Sequence, residues 1–189
     1  MTKGCEHMGW AVILLPDERG DASARRVWSA VRNAGFRSML FEGDNRPHVS
    51  LTVLETQDGT LDDAVRRFAA EETPAAVTFA SAGAFGEDVI WLAPEPTAAL
   101  HRMNRALTAH LGPLAPLVDR HYLPGDWQPH MTVAFKIPEG EFTRAWRTVR
   151  ESFLPFSTVL GSVAVVKFNP VKIVNIYPLE QKSSFEAPP

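Results

Sequence analysis

Two segments of this chain are near-copies of each other. Arg46-Pro47-His48-Val49-Ser50-Leu51 and Gln128-Pro129-His130-Met131-Thr132-Val133 both read Pro-His-apolar-hydroxyl-apolar, and they lie 82 positions apart, one in the middle of each half. A repeat of this kind asks for a fold with two similar halves, each presenting the same short strand. It also brings two imidazoles and two hydroxyls into one chain in matched settings.

The pattern around the two segments repeats as well. Trp10 to Leu15 is an apolar run ending at Pro16 and reads as a strand. Ala24, Val27, Trp28 and Val31 fall at i, i+3, i+4 and i+7, one helix face, with Gly35 as the stop. Phe41 to Pro47 is polar and reads as a loop, and His48 to Leu54 alternates like a strand. Leu61, Ala64, Val65 and Phe68 mark a second helix, with Thr60 and Asp63 as a capping box. In the second half, Val77 to Phe79 and Val89 to Leu92 read as strands around a Gly83–Gly86 loop. Leu100, Met103, Leu107 and Leu111 make a helix stripe, Pro113 to Pro129 a long loop, and His130 to Lys136 the second motif strand. Phe142, Ala145, Trp146, Val149 and Phe153 make the last helix. Val159 to Phe168 and Val171 to Tyr177 close the chain as a hairpin through Asn169-Pro170, and Gln181 to Pro189 is expected as a flexible tail. The order implies a duplicated α+β unit in a single domain over residues 1–180, rather than a parallel α/β sheet.

Bulk properties remove several function classes. A formal net charge of −3 argues against a strongly basic nucleic-acid clamp, though not against a small basic cleft. Cys5 is the only cysteine, so neither an internal disulfide nor a cysteine-rich zinc site can form. No apolar stretch reaches membrane-span length, and Met1 to Gly9 lacks the apolar centre of a secretory leader. The expectation is a cytoplasmic monomer with no membrane partner.

On a strand, alternate side chains share a face. His48, Ser50 and Thr52 are therefore expected on one face, with Val49, Leu51 and Val53 on the other. Likewise His130, Thr132 and Ala134 are expected to oppose Met131, Val133 and Phe135. Apolar faces dock on the helices, and the polar faces line a shared groove. Histidine titrates near pH 6.5, so one neutral ring can take a proton from water while a protonated partner gives one to a departing oxygen. Each transfer is worth roughly 10²–10⁴-fold in rate. The hydroxyls can donate to non-bridging phosphate oxygens, and no cofactor is needed. The bare pattern is weak: with 22 Ser or Thr in 189 residues and six histidines, about 0.7 His-x-Ser/Thr matches arise by chance. The agreement in flanking Pro, apolar neighbours, strand context and position is what separates the pair from chance.

These segments, their separation and the order of elements resemble the 2H phosphoesterase superfamily, in particular its bacterial 2′-5′ RNA ligase and 2′,3′-cyclic phosphodiesterase-like members. Tyr122-Leu123-Pro124-Gly125-Asp126-Trp127-Gln128-Pro129-His130-Met131-Thr132-Val133-Ala134 is similar to the second signature of the small members. The resemblance spans about Trp10 to Leu179. It implies a bilobal, pseudo-twofold α+β fold with antiparallel sheets around a central cleft. It implies metal-independent opening of a 2′,3′-cyclic or related phosphodiester on a nucleotide or RNA terminus, with His48 as general acid and His130 as general base. Ser50 and Thr132 would hold the phosphate; Ser50 departs mildly from the threonine many members carry.

Further candidates for substrate contact are Arg46 and Lys136, near the motifs, and Tyr122 and Trp127, whose rings can stack on a base or else cover the core. Lys136 shares the strand parity of His130. Phe168, Tyr177, Trp28 and Trp146 are expected in the core; His101 and His110 on helix surfaces; His121 at the mouth of the cleft. Asp44 and Glu55 offer no metal-ligand spacing with the histidines. Two other readings remain open on these residues: RNA-end ligation into a 2′-5′ linkage, which is the same reaction reversed, and a module that binds a nucleotide without turnover.

Overall fold

The computed structural model describes residues 9–41, 43–55, 59–168 and 170–180. The expected tail Gln181–Pro189, Cys5, His7 and the turn residue Asn169 lie outside them.

Each half runs strand, helix, strand, helix, strand. The first is β1 (Trp10–Pro16), α1 (Glu18–Asn33), β2 (Val49–Leu54), α2 (Thr60–Glu71) and β3 (Ala75–Phe85). The second is β4 (Val89–Glu95), α3 (Ala98–Leu111), β5 (Met131–Phe135), α4 (Phe142–Ser152) and β6 (Phe156–Lys167), and β7 (Lys172–Pro178) closes the chain. The antiparallel sheet runs β2-β1-β6-β3-β4-β5, with β7 on β6. That order is symmetric about its centre: β1 corresponds to β4, β2 to β5 and β3 to β6. The motif strands are therefore the two ends of the sheet path, and β2 and β5 approach each other. The expected α+β duplication holds. The repeat boundary lies after β3, so the strand over Val77–Phe79 belongs to the first half rather than the second.

Helices cross between halves. α1 packs beside α4 and on β5; α3 packs beside α2 and on β2. Their apolar stripes, such as Ala24, Val27, Trp28 and Val31 on α1, are buried in one core. Side chains tie the crossover down. Trp28 Nε1 on α1 donates to the Thr132 carbonyl of β5 at 3.1 Å, and Asn104 Nδ2 on α3 donates to the Leu51 carbonyl of β2 at 2.9 Å. Each motif strand is thus held by a helix of the opposite half, which makes their spacing a property of the whole fold.

Local chemistry explains the boundaries. Asp17 caps α1 by accepting from the Gly20 amide at 2.8 Å and from Thr158 at 2.9 Å. A Cβ on Gly20 would meet Thr158 at 2.2 Å, so glycine lets α1 touch β6. The cap position of α2 falls on Gly59, one residue before the Thr60 expected there. The expected Gly83–Gly86 loop is shorter, since β3 continues to Phe85. Gly83 serves packing instead, because a Cβ there would press into the Trp91 ring at 2.4 Å. Among the described residues, no helix is long and apolar enough to cross a membrane.

Candidate active site

β2 and β5 depart from simple alternation at the same place. In the β1–β2 ladder Ile13 faces Ser50 and Val12 faces Thr52, leaving Leu51 as an extra residue. In the β4–β5 ladder Trp91 faces Thr132 and Ile90 faces Ala134, leaving Val133 extra. A bulge of one residue switches the faces of everything after it. Thr52 and Ala134, expected beside Ser50 and Thr132, are accordingly buried at 1% exposure. Val53 and Phe135, expected in the core, turn toward the groove instead.

That groove contains a cavity of about 190 Å³. Arg46, His48, Ser50 and Tyr122 line it together with Thr132. His130 stands two residues before Thr132 and close enough for its charge to act on His48. The structure therefore gathers residues from both motifs at one place.

The two imidazoles are held alike. His48 Nδ1 lies 2.5 Å from the Arg46 carbonyl, and His130 Nδ1 lies 2.7 Å from the Gln128 carbonyl, in each case two residues back. A carbonyl can only accept, so Nδ1 carries the proton, and Nε2 of a neutral ring keeps its lone pair for other work. Burial lowers the pKa of His48 below the ordinary imidazole value; the Arg46 carbonyl opposes this, and the charge of His130 adds to it. Burial also lowers His130, against the pull of the Gln128 carbonyl. Both shifts favour the neutral form of the rings.

The hydroxyls sit differently. Burial, and then the nearby charge of Asp119, push the Tyr122 phenol up to about 12, while its hydrogen bond with the Ser50 side chain opposes the rise. Tyr122 thus stays protonated beside Ser50. Arg46 lines the cavity with its Nε 3.6 Å from Asp21. Among the described residues, no three His, Cys, Asp or Glu side chains gather to hold a metal ion.

Three expectations need correction. Trp127 is in the core at 3% exposure, its Nε1 donating to the Ser50 carbonyl at 3.1 Å, so its ring supports β2 and presents no open face for stacking. Lys136 is exposed and lies outside the cavity lining; its backbone turns left-handed at φ 56°, and its Nζ sits 5.8 Å from the Phe135 ring centroid. The parity argument for Lys136 fails because of the bulge. His121, expected at the cleft mouth, stands exposed, 2.9 Å from Asp119, and does not itself line the cavity.

Residues 20–171 match the family described as the 2′-5′ RNA ligase superfamily. The chain belongs to that superfamily. Its fold is shared with TT0787 of Thermus thermophilus, at 16% identity and a TM-score of 0.62, covering 93% of this chain and 100% of that one. E. coli LigT complexed with 3′-AMP is similar at 16% identity and a TM-score of 0.59, again over 93% and 100%. E. coli LigT complexed with phosphate is similar at 13% identity and a TM-score of 0.55, over 93% and 98%. No curated protein matches the chain.

In this 2′-5′ RNA ligase superfamily member, several lining residues escaped the sequence reading. Phe168, expected in the core, lines the cavity with Ile13 and Ile173, so one wall is apolar. Nothing in local periodicity marks Phe168, because it leaves the end of β6 and its face is set by the β7 hairpin. Phe85 and Trp91 were also missed as neighbours of His130, at ring-centroid distances of 4.9 and 6.0 Å. The pairing of Trp91 with Thr132 across the ladder is what brings them there.

Proposed function

We propose that this protein is a phosphodiesterase that opens a 2′,3′-cyclic, or closely related, phosphodiester on a nucleotide or RNA end by paired histidine catalysis. The observation that carries this reading is the matched clamp on the two imidazoles. Each Nδ1 is tied to a backbone carbonyl, which frees both Nε2 atoms; His48 lines the cavity with Ser50 and Thr132, and His130, outside that lining, lies close enough for its charge to act on His48.

One neutral imidazole takes the proton of a water whose oxygen forms the new P–O bond. The bond from phosphorus to one ribose oxygen breaks, and the other imidazole, protonated, gives that oxygen its proton. The product is a phosphomonoester with a free hydroxyl, and the pair ends with its protons exchanged. A dianion-like transition state gathers charge on the non-bridging oxygens, where the Ser50 and Thr132 hydroxyls can donate. The family resemblance assigns the acid to His48 and the base to His130. An anionic phosphate beside the rings favours their charged form, so substrate binding raises one ring toward holding, from solvent, the proton that it later donates. The repulsion between the rings favours a pair that carries a single proton.

The test is hydrolysis of the four nucleoside 2′,3′-cyclic monophosphates with EDTA present, following the monoester produced. Turnover that survives EDTA and yields one monoester supports the reading. Tight binding of the cyclic phosphates with no turnover would leave a binding module in its place, and a joined product from paired RNA halves would turn it into a ligase.

A further inference from the structure

The chain is net negative, but its arginines are concentrated. α1 carries Arg19, Arg25, Arg26 and Arg32 against Glu18 and Asp21, and α4, packed beside it, carries Arg144, Arg147 and Arg150 against Glu151 and the capping Glu141, which pairs with Arg144 at 2.5 Å. By contrast α2 has two arginines against three carboxylates. The α1–α4 face is electropositive on a molecule of formal charge −3.

Two grooves run along α1 and the segment that follows it, leading out of the cleft. The first, about 180 Å³, lies between Arg25, Ser29, Arg32 and Phe41, and shares Leu40 and Asn45 with the catalytic cavity. The second shares Arg32 and Phe41 with the first and adds Arg37. Arg25, Ser29 and Arg32 fall at i, i+4 and i+7, so they form one stripe about 10 Å long at 1.5 Å per residue. Asp21 joins the stripe to the cleft: it holds Arg25 at 2.5 Å and lies 3.6 Å from Nε of Arg46, which lines the cavity. One carboxylate between two guanidinium groups leaves positive charge to spare. Phe41 is half-buried, edge-on to Trp28 at 6.0 Å, and is shared by both grooves.

Guanidinium forks match phosphate oxygens, and an aromatic ring among them offers a surface for a base; together they make a single-strand binding surface. The cavity itself is small beside the roughly 300–1,000 Å³ of drug-sized ligand sites, so it takes the end of a chain and not its length. We propose that the α1 stripe is a track for the backbone phosphates of single-stranded RNA whose 3′-terminal nucleotide occupies the cleft. This rests on the phosphodiesterase reading for the end group. It deepens that reading by making an oligonucleotide, rather than a free mononucleotide, the preferred substrate.

The experiment measures binding of a 5′-labelled single-stranded hexaribonucleotide ending in a 3′-phosphate by fluorescence anisotropy, across a salt series, with the mononucleotide 3′-phosphate as competitor. The hexamer is expected to bind at least about tenfold more tightly than the mononucleotide, with a log–log salt slope steeper by about 1.4 for two further phosphates engaged. Arg32→Glu and Arg37→Glu should each remove most of that advantage and flatten the slope. Both variants should turn over mononucleotide cyclic phosphate within about twofold of the parent, since neither residue touches the cleft lining. Arg105→Glu on α3 should change nothing. Equal affinity for hexamer and mononucleotide, or an equal loss from Arg105→Glu, overturns the track. A protein that binds the hexamer through Arg32 yet hydrolyses no cyclic phosphate keeps the track and overturns the phosphodiesterase reading instead.

Discussion

β2 and β5 share a bulge after the hydroxyl residue, an imidazole clamped through Nδ1, and a backbone carbonyl held by an indole from the other half of the chain. Their surroundings differ. Ser50 faces Ile13 across its ladder and sits beside Tyr122, in a cavity whose apolar lining is aliphatic apart from Phe135 and Phe168. Thr132 faces Trp91, and Phe85 meets the His130 ring edge-on at an interplanar angle of 88°. The duplicated parts are those a symmetric phosphate needs: two imidazoles, two hydroxyls. The parts that differ are those that would meet the two unlike substituents of a phosphodiester. The comparison teaches that the chemistry and the selectivity of this site reside in separate residues.

The most severe way to break the comparison is to remove one ring at a time. His48→Ala and His130→Ala should each lower kcat on a 2′,3′-cyclic nucleotide by about 10²–10⁴-fold, and the double variant should be little worse than either. Steady-state kinetics on all three variants, with circular dichroism to check folding, measures this. If one single variant keeps activity within tenfold of the parent, the two strands are not equivalent in function. The hydroxyls come next. Ser50→Ala and Thr132→Ala each delete a donor to a charged oxygen, which is worth about 1.5–3 kcal/mol, or roughly ten- to a hundredfold in kcat/KM. Ser50→Ala should be the milder, because the freed Tyr122 hydroxyl remains beside the vacated position.

A pH profile sharpens the comparison further. With one ring neutral and one protonated, kcat/KM rises as pH passes the lower pKa and falls as it passes the higher. Burial places both values below the ordinary imidazole figure in the free protein, so the kcat/KM maximum should fall below about pH 6.5, with about tenfold loss per unit beyond either limb. Bound phosphate favours the charged rings, so the kcat profile should move to higher pH. A kcat/KM maximum above pH 7 would show that the rings are not desolvated in solution.

Much of this was legible in the chain. The helix stripes and the succession of strands along the chain follow from short-range periodicity, and the repeat itself pointed to His48, Ser50, His130 and Thr132 as candidates, on two strands that approach each other. What escaped was set by contacts between strands. The bulges at Leu51 and Val133 leave no trace in hydrophobic alternation, yet they decide that Val53 and Phe135, rather than Thr52 and Ala134, turn to the cleft. Trp127 looked like a loop aromatic, and its burial depends on a carbonyl 77 residues away. Gly83 read as a turn, but the ring of Trp91 on the facing strand gives it its role.

The finest test concerns the position just past the bulge. Thr52 and Ala134 are counterparts, both at 1% exposure, and only Thr52 carries a hydroxyl. Its Oγ1 is buried with no hydrogen-bond partner, and an unpaired buried polar group costs about 1–3 kcal/mol. Thr52→Val keeps the side-chain volume while deleting that oxygen. It should therefore stabilise the protein by about 1 kcal/mol, raising Tm by about 2–4 °C for a chain of this size, with kcat unchanged because the residue faces away from the cleft. Thr52→Ala, which copies the β5 residue, should gain less, since it trades the unpaired oxygen for a small void. Differential scanning calorimetry on both variants decides it. A lower Tm for Thr52→Val would mean that the hydroxyl has a bound partner in solution, and that the two motif strands differ in their core faces as well as in their substrate faces.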